Sequence, residues 1–190
     1  MSTTTRWTSA DLNSLPDDGN RYEIISGELC ASRPNVLKHQ AACGEILVAL
    51  EKWNDQTGIG AAVFAPGLIL SEYDDVVPDV VWISRKRLAG GLDENGHLRV
   101  APELIAEVLS PGEEHERRDR VVKLDLYSRR GVREYWILNW QACSVEVYRR
   151  DQAELRLVAT LFESDVLDTP LLPGFNCLVA SLFECISANR

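Results

Sequence analysis

Three charged residues, Asp79, Glu107 and Lys123, stand where the local pattern asks for apolar ones, and their types together suit metal-assisted phosphoester chemistry. Alternation along Glu103 to Leu109 puts Ile105, Glu107 and Leu109 on one face of a strand and Leu104, Ala106 and Val108 on the other. Both faces are apolar, so Glu107 is the exception, and a carboxylate there is costly unless paired or liganded. Asp79 repeats the anomaly: Val77, Val81 and Ile83 share its face, while Val80 and Trp82 occupy the other. Projected as a helix, residues 114–130 place Lys123 near the middle of an apolar arc, with Val122 and Leu126 on one flank and Leu124 and Tyr127 on the other. Each residue has an ordinary alternative. Glu107 could pair with an arginine at a strand end, Asp79 could serve a turn beside Pro78, and Lys123 could pair with Asp119 one helical turn away.

Two carboxylates converging from adjacent strands make a hard-oxygen site suited to Mg2+ or Mn2+ rather than zinc. Such a cation activates water and stabilises a pentavalent phosphate, and a neighbouring ammonium orients the water or offsets charge on the phosphate. His39, one turn from Val36 and Cys43 on an apolar helix face, is either a satisfied core histidine or a member of the same site. If Ser26-Gly27 is a two-residue turn, Glu23 pairs across from Cys30 and shares a face with Glu28, and either glutamate could edge the cavity or face solvent. Positive charge concentrates at Arg117, Arg118, Arg120, Lys123, Arg129, Arg130 and Arg133, which reads as a local phosphate grip or as a solvated face balanced by Glu116, Asp119 and Asp125.

The elements that must position these groups alternate in type. A short capped helix over Thr8 to Leu15 precedes a hairpin formed by Tyr22–Ile25 and Glu28–Ala31. Asn35 is the expected N-cap of an amphipathic helix that runs to Gly58. Strands are expected over Ala61–Leu70, Val76–Ile83 and Leu98–Leu109, mostly antiparallel. A helix from about Glu114 to Arg130 follows, stopped by Gly131, and then strands at Val132–Leu138 and Ser144–Tyr148. The tail alternates strand-like pieces and ends in a short helix near Leu178–Ile186.

The 190 residues, 45% hydrophobic, suffice for one substantial core, so a single domain over 1–190 is expected, with its core at about 20–150 and a C-terminal extension at 151–190. No apolar run is long enough to cross a bilayer, and the polar N-terminus lacks a signal core, so a cytoplasmic protein without a membrane partner is expected. Five cysteines without C-x-x-C spacing read as reduced, packed thiols. A net charge of −9 opposes broad adhesion to nucleic acid, so contact with DNA must come from the local basic segment.

Several stretches resemble the bacterial Uma-two family of restriction-endonuclease-like proteins. They are Tyr22-Glu23-Ile24-Ile25-Ser26-Gly27-Glu28-Leu29, Val77-Pro78-Asp79-Val80-Val81-Trp82-Ile83-Ser84 and Pro102 to Pro111. To these are added Arg117 to Tyr127 and Gly131-Val132-Arg133-Glu134-Tyr135-Trp136-Ile137. The resemblance implies an α/β fold with the PD-(D/E)XK nuclease core, a restriction-endonuclease-like central mixed sheet flanked by helices, with the N-terminal hairpin added. It also implies that Asp79 and Glu107 match the acidic metal ligands. The superfamily's lysine two residues after the acidic strand position is Leu109 here, which cannot act, and the matching lysine is Lys123 on the following helix. Glu23 and His39 match positions that the family favours. The expected function is a Mg2+- or Mn2+-dependent DNA endonuclease in which Lys123 aids water activation and Arg120, with Arg117 and Arg118, grips phosphate. Nucleases that cut both strands often work as dimers, which leaves a homodimer open. The alternative is a nuclease fold without catalysis that serves as a binding or assembly module.

Overall fold

The computed structural model describes residues 6–33 and 36–184. A 3-10 turn at Ser9–Ser14 opens the chain, with Thr8 and Asp11 capping one another. Strands β1 (Arg21–Ile25) and β2 (Glu28–Ser32) form the expected hairpin, with Glu23 opposite Cys30. Ser26 and Gly27 both take positive φ, the geometry of a two-residue turn matched to strand twist. Helix α1 (Leu37–Thr57) follows, and Val36 rather than Asn35 is its N-cap residue, without a side-chain cap; Asn35 lies outside the described residues.

The stretch expected as one strand over Ala61–Leu70 is two, β3 (Gly60–Phe64) and β4 (Leu68–Ser71), in different sheets. The break falls at Ala65-Pro66-Gly67, where Ala65 takes φ 45° and a Cβ on Gly67 would lie 2.6 Å from the His97 ring. Next come β5 (Asp74–Val76), β6 (Val80–Ser84), the single turn α2 (Arg85–Leu88) and β7 (Leu104–Val108). Asp79 therefore precedes β6 rather than lying inside a strand from Val76, because Pro78 cannot extend a ladder. Residues 98–103, expected as strand, connect rather than pair along the central sheet. The expected helix after Ser110-Pro111-Gly112 is three segments end to end: α3 (Glu113–Arg117), a π-helical stretch (Arg118–Lys123) and α4 (Leu124–Arg130), closed by Gly131 in the left-handed region. Strands β8 (Glu134–Asn139), β9 (Ser144–Asp151), β10 (Glu154–Phe162), β11 (Val166–Asp168) and β12 (Asn176–Leu178) complete the order, before a 3-10 turn at Val179–Leu182.

The fold is mixed α/β, with a central mixed sheet flanked by helices. The sheet order is β10-β9-β8-β7-β6-β3, and only β7 and β8 run parallel, as the helical crossover between them requires. A second antiparallel sheet, β2-β1-β5-β4, carries the hairpin. Ala42, Cys43, Ile46, Leu50 and Trp53 of α1 cover one face of the central sheet through Val80, Trp82, Leu104, Ala106 and Val108, joined there by Leu167, Leu172 and Phe175 of the tail. The other face packs Val81, Ile83, Ile105 and Ile137 against Leu126 and Tyr127 of α4 and Ile25 and Val76 of the small sheet. Residues 151–184 thus supply both the sheet's edge strand and part of the α1-side core. No helix among the described residues is long and apolar enough to cross a membrane. Cys30, Cys43 and Cys177 are free thiols.

Asp74 clasps the small sheet to the crossover. Its buried carboxylate accepts the Ser26 N–H and the Ser71 hydroxyl, both at 2.8 Å, and pairs with Arg130 at the end of α4. Burial works to raise its pKa, but the Ser26 N–H, Arg130 and Ser71 hold it below the ordinary carboxylate value. A carboxyl depressed in the folded state stabilises above its unfolded pKa, near ~3.9, and loses that contribution as pH falls through the folded value. Asp74→Ala is expected to cost about 2–3 kcal/mol in urea unfolding at neutral pH, a gap that narrows below pH ~4. An unchanged midpoint at pH 7 would show that the clasp contributes nothing.

Candidate active site

At one end of the central sheet, β6 and β7 present their carboxylates to one another. Their register pairs Val80 with Ala106, so Asp79 lies opposite Glu107 one step beyond the last paired residues. The two side chains exchange with the backbones: the Asp79 N–H donates to Glu107 Oε2 at 3.3 Å, and the Val108 N–H donates to Asp79 Oδ2 at 2.9 Å. Strand flanks that are apolar on both faces leave these carboxylates buried, at 5% and 3% exposure. Side-chain exposure of Lys123 is only 4%, and its ammonium lies 2.9 Å from Glu107 Oε1 and 3.2 Å from Glu23 Oε1. Glu23 Oε1 also accepts the Val77 N–H at 2.9 Å, which anchors the glutamate between the two sheets. The alternative pairing of Lys123 with Asp119 is not a direct ion pair here; Asp119 lies 3.9 Å from Arg118.

Lys123 ends a π-helical stretch, on the inward arc that an α-helical projection also gives it. Bonding from i to i+5 widens the turn, and such segments recur at functional sites. Asp119 and Lys123 are its two buried residues, and Tyr127, one turn on, donates its hydroxyl to Glu107 Oε1 at 2.7 Å. From the opposite side, α1 brings His39 Nε2 to 3.2 Å from Asp79 Oδ2, while Cys43 Sγ lies 3.4 Å from His39 Nδ1. Arg21 of β1 approaches Asp79 Oδ1 at 3.6 Å.

Arg21, Glu23, His39, Asp79, Glu107 and Lys123 line a small cavity that also includes Ser32, Ser110, Arg118 and Asp119. The space it leaves for a water-sized sphere is about 20 Å³, room for one water or one small ion. Glu23, Asp79, Glu107 and Asp119 face the permanent cations Arg21, Arg118 and Lys123, so carboxylates outnumber cations. Burial pushes Glu107 up to about 8 against the pull of Lys123, with Asp79 adding to the rise. Asp119 is likewise raised by burial, to about 6, against Lys123 and Arg118. Burial would raise Asp79 too, but His39, Lys123 and the Val108 N–H bring it below its ordinary value. For Lys123, burial works to lower the pKa, and Glu107, Glu23, Asp119 and Asp79 overcome it and hold the ammonium charged. A surplus of buried hard-oxygen donors around an ion-sized space fits a divalent cation, with Asp79 and Glu107 as the converging pair.

All five residues expected to do chemistry, Glu23, His39, Asp79, Glu107 and Lys123, meet at this cavity, whereas Glu28 is exposed on the hairpin. The arginines divide. Arg118 lines the cavity, and its buried Nε has no hydrogen-bond partner among the described residues. Arg117 lines the neighbouring cleft with Glu28 and His115. Arg120, grouped with the site on sequence, is held elsewhere: Glu146 accepts its Nε at 2.9 Å and Glu116 pairs with the same guanidinium. Arg21, Asp119 and Tyr127 join the site without having been singled out for it. The apolar-arc signal that exposed Lys123 could have found Tyr127, but nothing local marks Arg21.

A family model named Uma2 and described as "Putative restriction endonuclease" matches residues 9–180. No curated protein matches the chain. Among solved structures, the chain is similar to a putative nuclease belonging to DUF820 from Anabaena variabilis, with a TM-score of 0.72 and 19% identity over 93% of this chain and 97% of that one. At that identity the likeness establishes a shared fold.

Removing the ammonium strands buried carboxylates, so Lys123→Met is expected to cost about 3–5 kcal/mol in urea unfolding. The double variant Lys123→Met/Glu107→Gln should recover at least ~1 kcal/mol of that loss. Strict additivity of the two substitutions would show that the pair does not interact.

Proposed function

The chain belongs to the Uma2 family of putative restriction endonucleases, and from that premise we propose that it hydrolyses phosphodiester bonds in DNA with Mg2+ or Mn2+ held by Asp79 and Glu107. The observation that carries this reading is the Lys123 ammonium, buried and 2.9 Å from Glu107 beside an ion-sized cavity. When bound, the cation supplies Lewis acidity to a hydrolytic water and to the phosphate oxygens. The chain's own residues do the rest. Lys123 is held charged by its carboxylate neighbours, so its role is to orient the attacking water and offset charge on the phosphate rather than to take a proton. Glu23 fixes the ammonium from the second side, and the Tyr127 hydroxyl fixes Glu107. Arg21 and Arg118 at the cavity are the phosphate contacts in this account, with Arg117 meeting the strand in the adjoining cleft. Arg120 is left out of the grip, because two carboxylates already occupy it.

A second reading, a binding or assembly module without catalysis, is favoured by one observation: Glu107 already accepts hydrogen bonds from Lys123, Tyr127 and the Asp79 N–H. Plasmid nicking separates the two. Wild type with Mg2+ or Mn2+ is expected to nick, EDTA to abolish nicking, and Glu107→Ala and Lys123→Ala each to lower the rate at least ~100-fold while circular dichroism confirms folding. Equal nicking by all three folded proteins would remove the site from the reaction, and none by wild type would favour the module.

A further inference from the structure

We infer that His39 is a third protein ligand of the cation held at Asp79, that this nitrogen-and-oxygen donor set favours Mn2+ over Mg2+, and that Cys43 is the positioning residue that sets the ring for it. The inference rests on Asp79 being a metal ligand, as proposed above. His39 Nε2 and Asp79 Oδ2 are 3.2 Å apart and both residues line the cavity. Two adjacent ligand atoms on an octahedral ion with bonds near 2.1–2.2 Å lie about 3 Å apart, so the observed separation already matches neighbouring coordination positions. Asp79 Oδ1 points instead to Arg21, which leaves Oδ2 as the oxygen nearest the ring.

The sulfur is close enough to look like a ligand, since Cys43 Sγ and ligand atoms of His39 and Asp79 all lie within 4.8 Å of one another. Its chemistry sets it apart: soft sulfur suits zinc or copper(I), whereas Mg2+ and Mn2+ take harder donors. Cys43 Sγ sits 3.4 Å from the ring's other nitrogen, Nδ1, so its own contact is with the imidazole. What the thiol can do is serve Nδ1 in either tautomer, because S–H donates and sulfur accepts. With the proton on Nε2, the ring donates to Asp79 and accepts from Cys43. With the proton on Nδ1, the ring donates to Cys43 and frees the Nε2 lone pair for the cation. His39 and Cys43 are one turn apart on α1 and both are buried, so the helix holds the pair in line. Ligand orientation through the second ring nitrogen is the usual way a metal-binding histidine is tuned. Imidazole suits transition ions better than Mg2+, while the carboxylates remain suited to Mn2+.

Mn2+ alone, added to the full chain, tests this without requiring turnover. Pulsed EPR of bound Mn2+ is expected to show coupling to one imidazole nitrogen, and competition to show Mn2+ held at least ~10-fold tighter than Mg2+. His39→Gln should abolish the coupling, Cys43→Ala should lower Mn2+ affinity about 10-fold, and Cys43→Ser should stay within about 2-fold of wild type. Oxygen-only coordination in wild type, or equal Mg2+ affinity, would overturn the inference and leave the Asp79–Glu107 site standing. No Mn2+ binding would overturn both. Wild-type affinity in both Cys43 variants would remove Cys43 from its role. The wild-type spectrum decides the place of His39 even where a variant fails to fold.

Discussion

The structure turns on one buried ammonium. Lys123 is buried, and removing such a charge from bulk water costs several kcal/mol that only close, well-directed partners offset. Glu107 and Glu23 supply them at 2.9 and 3.2 Å. The reverse dependence is equally strong. Glu107 lies on a strand buried on both faces, and Asp79 lies opposite it one step beyond the last paired residues, so without the lysine two facing carboxylates would be left in an apolar setting. Even with Lys123 present, carboxylates exceed cations, and burial raises Glu107 and Asp119. That unrelieved acidity is what a divalent cation would relieve.

The surrounding fold reads as the apparatus for holding that charge balance. Each member of the cluster comes from a different element: Glu23 from β1, His39 from α1, Asp79 from the entry to β6, Glu107 from β7 and Lys123 from the π-helical stretch. They meet where the small sheet is fastened to the crossover by Asp74 and Arg130 and where the π-helical stretch presents both Asp119 and Lys123 inward. The parallel β7–β8 pair requires a crossover helix, and that helix delivers the lysine that Leu109 cannot provide.

Much of this was legible in the sequence where a single residue broke a strong local pattern. Alternation in 103–109 sorted Ile105 and Leu109 to one core and Leu104, Ala106 and Val108 to the other, as the packing has it. The hairpin register placed Glu23 opposite Cys30 for the same reason, since a two-residue turn leaves no freedom. Illegible features were those set by tertiary contact. The 61–70 stretch looks continuous because both halves are apolar, yet Ala65-Pro66-Gly67 diverts them into separate sheets. A projection at α-helical pitch found Lys123 but could not show that the stretch is π-helical, and Asp119, one turn before it on the same face, read as no more than an ion-pair partner. Arg21 looks like an ordinary charged strand residue, and only the docking of one sheet on another brings it to Asp79. Arg120 misled in the opposite direction, because its partner Glu146 lies on β9, far along the chain.

The central claim is that this charge balance is completed by a cation between Asp79 and Glu107. Anomalous diffraction from a Mn2+-soaked crystal of the full chain tests it most directly. The account predicts a peak about 2.2 Å from carboxylate oxygens of both Asp79 and Glu107. A map without a peak there, with Glu107 still held by Lys123 and Tyr127 alone, would contradict it.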